Sequence, residues 1–215
     1  MTGTAENLVL ILFAVTMLWV AASSRLELYA RMLGWQGVLL FVVALGNIAP
    51  EEKFTLAFVA VETLLLKGLV IPMYLIRVIR RNEIRRETEP YLPNLYSLAV
   101  AVGLTAVGFV LAFLVRLGHH PVHPCLFGAA VAVILNALFI LLTRKKFITH
   151  IIAFVFLENG IFLLSLAVAG EMPFVVNLGV MLDVFMWVLL AGVFVRTMKD
   201  AIPGQHIDKL RGLRG

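Results

Sequence analysis

The chain has 215 residues, 61% of them hydrophobic and 14% charged, with a formal net charge of +5. Soluble domains carry about 25% charged and under about 50% apolar residues, so this balance excludes an ordinary soluble catalyst and selects a lipid bilayer as solvent. At roughly 20 apolar residues per spanning helix, the length holds about seven helices and leaves no room for a separate soluble domain.

The single cysteine, Cys125, excludes an internal disulfide and a thiolate-held iron–sulfur cluster. No haem-attachment motif is present, so the chain is expected to carry no electrons and to hold no cofactor or metal of its own. The positive charge fits basic membrane loops better than a nucleic-acid surface.

Apolar segments run over about 5–24, 32–49, 54–77, 95–116, 124–143, 147–169 and 172–197. The first contains Glu6 near its start, with no Lys or Arg before the apolar run, and therefore reads as a retained helix rather than a cleaved signal peptide. Pro72 in the third segment cannot donate to the carbonyl of Gly68, which predicts a kink beside Lys67. A polar stretch follows, from Arg77 to Asn94, and ends in Pro90-Tyr91-Leu92-Pro93. The fourth segment holds Ala99-x-x-x-Gly103, a small-residue pattern that predicts helix packing. Before the fifth lies His119-His120-Pro121-Val122-His123-Pro124, read as a wet surface turn rather than a metal site.

With the N-terminus outside, the loops and tail on the inner side carry fifteen Lys and Arg residues, from Arg25 to Arg214. The outer loops carry two, Lys53 and Arg116, and Lys67 lies within a span. This alternation supports seven helices with a cytoplasmic C-terminus.

A weak internal repeat has an offset of about 120 residues. Ser24-Arg25, Gln36-Gly37 and Val61-Glu62 recur as Thr143-Arg144, Glu158-Asn159-Gly160 and Leu182-Asp183. The expected fold is thus an all-α membrane protein of two parallel three-helix units, 1–89 and 124–199, joined by a linking helix at 95–116 and followed by a tail at 200–215.

Four ionisable residues lie deep in the spans: Glu62, Lys67, Glu158 and Asp183. Each charge at mid-bilayer costs on the order of 3 kcal/mol, so such residues face a protein interior or a hydrated cavity. Their depths predict a layer parallel to the membrane plane, suited to passing protons or other cations. The alternative is structural, with each acid bonding a neighbouring helix. Glu62 and Lys67 are five residues apart, about 140° around an α-helix, so their partners are expected on other helices. Asn136, Asn159 and Asn177 either extend a hydrogen-bonded chain or pair helices. His150 lies one turn inside the basic end of the sixth segment, as an interfacial residue or a proton entry group.

The block Leu142-Thr143-Arg144-Lys145-Lys146 and then Phe156-Leu157-Glu158-Asn159-Gly160-Ile161-Phe162 resembles the K subunit of respiratory complex I. In that family a basic loop precedes a helix with a central glutamate, and a second acid follows on the next helix. Asp183 occupies the second place, as Asp where the family usually has Glu. The C subunit of multisubunit Na⁺/H⁺ antiporters is similar. The full length, the Leu182-Asp183 span and the tail Ile207-Asp208-Lys209-Leu210-Arg211-Gly212-Leu213-Arg214-Gly215 resemble hydrogenase-4 component E. Gln36 stands where a first acid would lie in the N-terminal half.

This resemblance implies a non-catalytic subunit in a prokaryotic inner membrane. The subunit would belong to an energy-converting [NiFe] hydrogenase or related complex I-like oxidoreductase, beside antiporter-like subunits. The nickel–iron centre and the iron–sulfur clusters would sit in a soluble redox arm. Glu158 and Asp183, then Glu62 and Lys67, would relay protons or Na⁺. Two other readings stay open: a cation/proton antiporter subunit without a redox partner, and a membrane scaffold.

Overall fold

The computed structural model describes residues 3–47, 61–81, 91–117, 123–168 and 192. Among these there is no β-strand. The helices are α1 (Gly3–Ala22), α2 (Leu26–Asn47), a π-helical segment Val61–Val70 continuing into α3 (Ile71–Arg81), α4 (Asn94–Leu117), α5 (Pro124–Thr143) and α6 (Phe147–Val168). Four of them are long and apolar enough to cross a membrane: α2, α4, α5 and α6. α1 carries a shorter apolar stretch, Glu6–Ala22. The expected seventh span, at about 172–197, lies outside the described residues.

Helices are the form these sequences must take in lipid, because each backbone N–H and C=O has to be satisfied within its own segment. The boundaries follow the apolar runs except in α3, which continues past residue 77 to Arg81, and in α2, which begins at Leu26 rather than at about residue 32. Its first turns carry Glu27 and Arg31, which the hydropathy pattern reads as loop. In the structure Glu27 faces Arg31 at 3.8 Å and Arg80 of α3 at 3.2 Å, so the charges belong to an interfacial helix end.

Two hairpins dominate the architecture. α1 and α5 are each 20 residues long, and α2 and α6 are each 22. They start at 3 against 124 and at 26 against 147, each a shift of 121 residues. α1 packs on α5, and α2 packs on α6. Each helix of one hairpin thus meets its counterpart in the other, the contact pattern a two-fold axis produces. The π-helical segment and α3 flank α2, and α4 packs on α5 and α1.

The core between the hairpins is aliphatic and aromatic, with Phe13, Met17, Tyr29, Leu33, Leu40, Val133, Ile152 and Phe156 fully buried. Small residues bring α4 close to α5, though not the pair expected. Ala99 is exposed, and a Cβ on Gly103 would meet nothing within 4 Å. The packing stripe is Ser97, Ala101, Gly108 and Ala112, spaced by four, seven and four residues, which keeps them on one helix face. A Cβ on Gly108 would lie 2.7 Å from Gly128 O and 2.7 Å from Ala132 N. The spacing Ala99–Gly103 satisfies the pattern on the wrong face.

Winding changes from π to α between Val70 and Ile71, just before Pro72. Proline lacks the N–H an α-helix needs and crowds the carbonyl four residues back, so the expected local disturbance takes the form of a change in winding. A π-helix bonds i to i+5. Backbone positions 62 and 67 therefore fall near one face, not about 140° apart as in an α-helix. The side chain of Glu62 is outside the described residues.

Candidate functional site

Glu158 and Asn159 sit near the middle of α6. Eleven residues separate Phe147 from Glu158, about 16 Å along the axis and close to half of a hydrocarbon core of about 30 Å. Opposite them, Gln36 lies near the middle of α2, and Lys67 projects from the π-helical segment.

Lys67 Nζ is 2.7 Å from Glu158 Oε1, and the two side chains are only 1% and 4% exposed. The ammonium also lies 5.1 Å from the ring centroid of Phe162, one helical turn beyond Glu158. A cation over an aromatic face gains further electrostatic stabilisation, most of all where water is excluded. The expectation that Lys67 would find its partner on another helix is met by Glu158.

Glycine makes this approach possible. A Cβ on Gly37 would fall 2.5 Å from Gly68 N, 2.6 Å from Lys67 C and 2.7 Å from Gly68 Cα. These are backbone atoms, so only glycine lets the π-helical segment sit this close to α2. Gly34 repeats the device one turn away, where a Cβ would lie 3.1 Å from Gly68 O and 3.3 Å from Pro72 Cγ.

A second polar thread starts beside the ion pair. Asn159 Nδ2 donates to Gln36 Oε1 at 3.2 Å, Gln36 Nε2 donates to Thr16 Oγ1 at 2.7 Å, and Thr16 donates to Phe13 O at 2.7 Å. It joins α6, α2 and α1 through buried groups. Gln36, where the first acid was expected, is thus the hinge of a neutral hydrogen-bond chain. Glu158 Oε2 and Asn159 Oδ1 are buried acceptors that receive no hydrogen bond among the described residues.

On the far side of α5, Asn136 Nδ2 donates to Thr105 Oγ1 of α4 at 3.0 Å and to Ala132 O at 2.8 Å. Asn136 therefore pairs helices. Thr105, Gln36, Asn136 and Glu158 all lie near the middles of their helices, which makes a polar layer at one depth. His150 Nδ1 is 2.8 Å from Lys146 O, inside its own first turn, and makes no described bond to the ion pair. Asp183 and Asn177 lie outside the described residues, as do His119 and His120. His123 stands at the N-cap of α5.

Sequence reasoning counted Arg144 among the basic charges of an inner loop. It is instead 2% exposed and reaches across the hairpins, with Nη2 3.2 Å from Ala21 O and 3.5 Å from Ser23 O. It satisfies carbonyls at the end of α1 that no helical N–H can reach. A threonine-arginine pair at the start of a basic loop does not reveal this. Thr16 and Thr105 were also passed over, because one hydroxyl in an apolar run gives no signal until its partner is known.

The chain is similar to Rv0085 of Mycobacterium tuberculosis (strain ATCC 25618 / H37Rv), described as an uncharacterized protein. The two are 31% identical over 206 residues, which cover 95% of this chain and 92% of the relative. No family model matches the sequence, and no solved structure matches it.

Proposed function

The chain belongs to one family with mycobacterial Rv0085, and from its buried ion pair we propose that it is a non-catalytic, ion-translocating subunit of a complex I-like membrane assembly. The assembly its sequence resembles is an energy-converting [NiFe] hydrogenase of a prokaryotic inner membrane, with the N-terminus outside and the C-terminus in the cytoplasm. Redox chemistry then belongs to partner subunits, which hold the nickel–iron centre and iron–sulfur clusters, and antiporter-like subunits lie beside this chain.

The observation that carries this reading is Lys67 bonded to Glu158 at 2.7 Å at the middle of an apolar bundle. A buried pair is weak evidence for stability, because desolvating two ions offsets most of their attraction. It is better suited to work as a switch. A proton delivered to Glu158 neutralises the carboxylate and weakens its hold on the ammonium, and its departure restores the pair. Glu158 Oε2, which receives no hydrogen bond among the described residues, is the oxygen that takes that proton. Asn159, Gln36 and Thr16 hold the α6 side of the site in register with α2 and α1. Asp183 and Glu62 are the remaining candidates for the relay, with His150 and Asn177 as supporting groups.

The test is Glu158→Gln in the assembled complex. Membrane vesicles should retain the subunit and its redox activity while redox-driven ion uptake falls. Uptake at the wild-type rate would leave a scaffold role only. Co-purification distinguishes the antiporter reading: a [NiFe] large subunit attached to the chain supports the hydrogenase assembly, and its absence from an otherwise intact complex supports a stand-alone antiporter.

A further inference from the structure

We propose that the groove along α3, at the basic end of the bundle, binds an anionic phospholipid from the adjacent leaflet. This inference concerns a different surface from the ion pair and does not depend on the translocation reading.

The groove has a volume of about 610 Å³ and is lined by Val70, Met73, Tyr74, Ile76, Arg77 and Arg80. Its order along the helix is the first argument. Val70 and Arg80 are ten residues apart, about 15 Å at 1.5 Å per residue. Apolar side chains occupy the deep part and two guanidinium groups the outer part. A phospholipid in the same leaflet has this sequence of chemistry, acyl chain and then phosphate. A dissolved anion would use the arginines and leave the apolar wall without purpose.

Charge is the second argument. Four arginines, Arg31, Arg77, Arg80 and Arg81, share this end of α2 and α3 with one carboxylate, Glu27, among the described residues. Glu27 accepts from Arg80 Nε at 3.2 Å and from Arg80 Nη2 at 3.3 Å, and lies 3.8 Å from Arg31 Nη2. The hydrogen bond to Glu27, and then its charge, raise the Arg80 pKa above its ordinary value, so this cation persists at every working pH. Arg77 is exposed and has no salt bridge among the described residues. Four cations against one anion leave the cluster positive, with Arg80 held in place and Arg77 available. A guanidinium offers phosphate two parallel N–H donors, and clustered basic residues beside a membrane-spanning helix attract anionic headgroups.

The experiment uses the full chain, purified in mild detergent and in its complex where one forms. Retention of dioleoyl-phosphatidylglycerol, dioleoyl-phosphatidylcholine and inorganic phosphate is compared by native mass spectrometry. The wild type should retain phosphatidylglycerol in clear preference to the other two. Arg77→Ala should lower that retention several-fold, and Arg77→Lys should lower it less. Arg116→Ala, at the end of α4, should leave it unchanged. A photo-crosslinker placed at Met73 should label lipid. Equal retention by wild type and Arg77→Ala overturns the proposal. So does inorganic phosphate binding as well as phosphatidylglycerol, which marks a soluble-anion site, and so does a Met73 crosslink into a neighbouring protein. Arg77 is exposed, so its loss should leave the bundle folded, and a monodisperse elution profile verifies this.

Discussion

Separating the two halves of the Lys67–Glu158 pair tests both its energetics and its use. At 2.7 Å, and with an effective dielectric constant of about 20, opposite unit charges attract by about 6 kcal/mol. Taking each ion out of water costs several kcal/mol, so the intact pair is close to neutral compared with two well-packed apolar side chains. Removing one partner is different, because the other charge stays buried without this counter-charge, at a cost of about 3–5 kcal/mol. Lys67→Met and Glu158→Leu should therefore each lower the melting temperature by on the order of 10 °C, using about 2–4 °C per kcal/mol for a chain of this size. The double variant should melt near the wild type, a coupling far outside the additivity expected of independent sites. Tryptophan fluorescence on thermal ramps in detergent reads the stability, and ion uptake in vesicles reads the function. If the pair is a relay, the double variant is stable and inactive. A double variant that is both stable and fully active would refute the functional argument, and single variants that melt like the wild type would refute the structural one.

Glycine substitutions give paired expectations. Gly37→Ala drives a Cβ to within 2.7 Å of three backbone atoms at Lys67 and Gly68, so the π-helical segment must retreat. Overpacking of this kind costs about 1–3 kcal/mol, and ion uptake should fall with it, whereas Gly103→Ala meets nothing within 4 Å and should leave stability unchanged or slightly higher. Gln36→Leu strands Asn159 Nδ2 and removes the donor to Thr16, and it should destabilise by about 1–3 kcal/mol. Thr16→Val removes the acceptor of Gln36 Nε2 and the donor to Phe13 O, and it should cost a comparable amount in the same melting assay.

Hydropathy made the helices legible because lipid leaves the backbone no alternative, and their ends were displaced only where charge lies inside a helix. Glu27 and Arg31 were set outside α2 because a charged turn at an interface looks like a loop until Arg80 is seen across from it. Lys67 and Glu158 were legible as chemistry, since charges are scarce in such segments, and their common depth followed from counting residues. Their pairing was not, because it depends on the winding around Lys67 and on the missing side chain at Gly37. Nothing in a linear pattern announces ten residues of π-helix. The small-residue stripe on α4 failed for a related reason: Ala99 and Gly103 satisfy a spacing, but the face that packs is decided by Gly128 and Ala132 on α5.

The two hairpins show how the Lys67–Glu158 pair is built from unlike halves. At the shift of 121 residues that superimposes their helix limits, the counterpart of Glu158 is Gly37. One hairpin thus presents a carboxylate at mid-depth, and the other presents no side chain at the same place. Gly37 brings the backbone of Lys67 against α2, and the four-carbon side chain carries the ammonium on to the acid of α6. Both halves of the site therefore depend on the asymmetry: an acid at position 37 would clash with the π-helical segment, and a glycine at 158 would leave Lys67 buried without that carboxylate. The same shift relates Glu62 to Asp183, so the third helix of each proposed unit carries an acid at matching positions. Exchanging the pair, with glutamate at 37 and glycine at 158, should for this reason fail to rebuild the site, even though composition and net charge are unchanged.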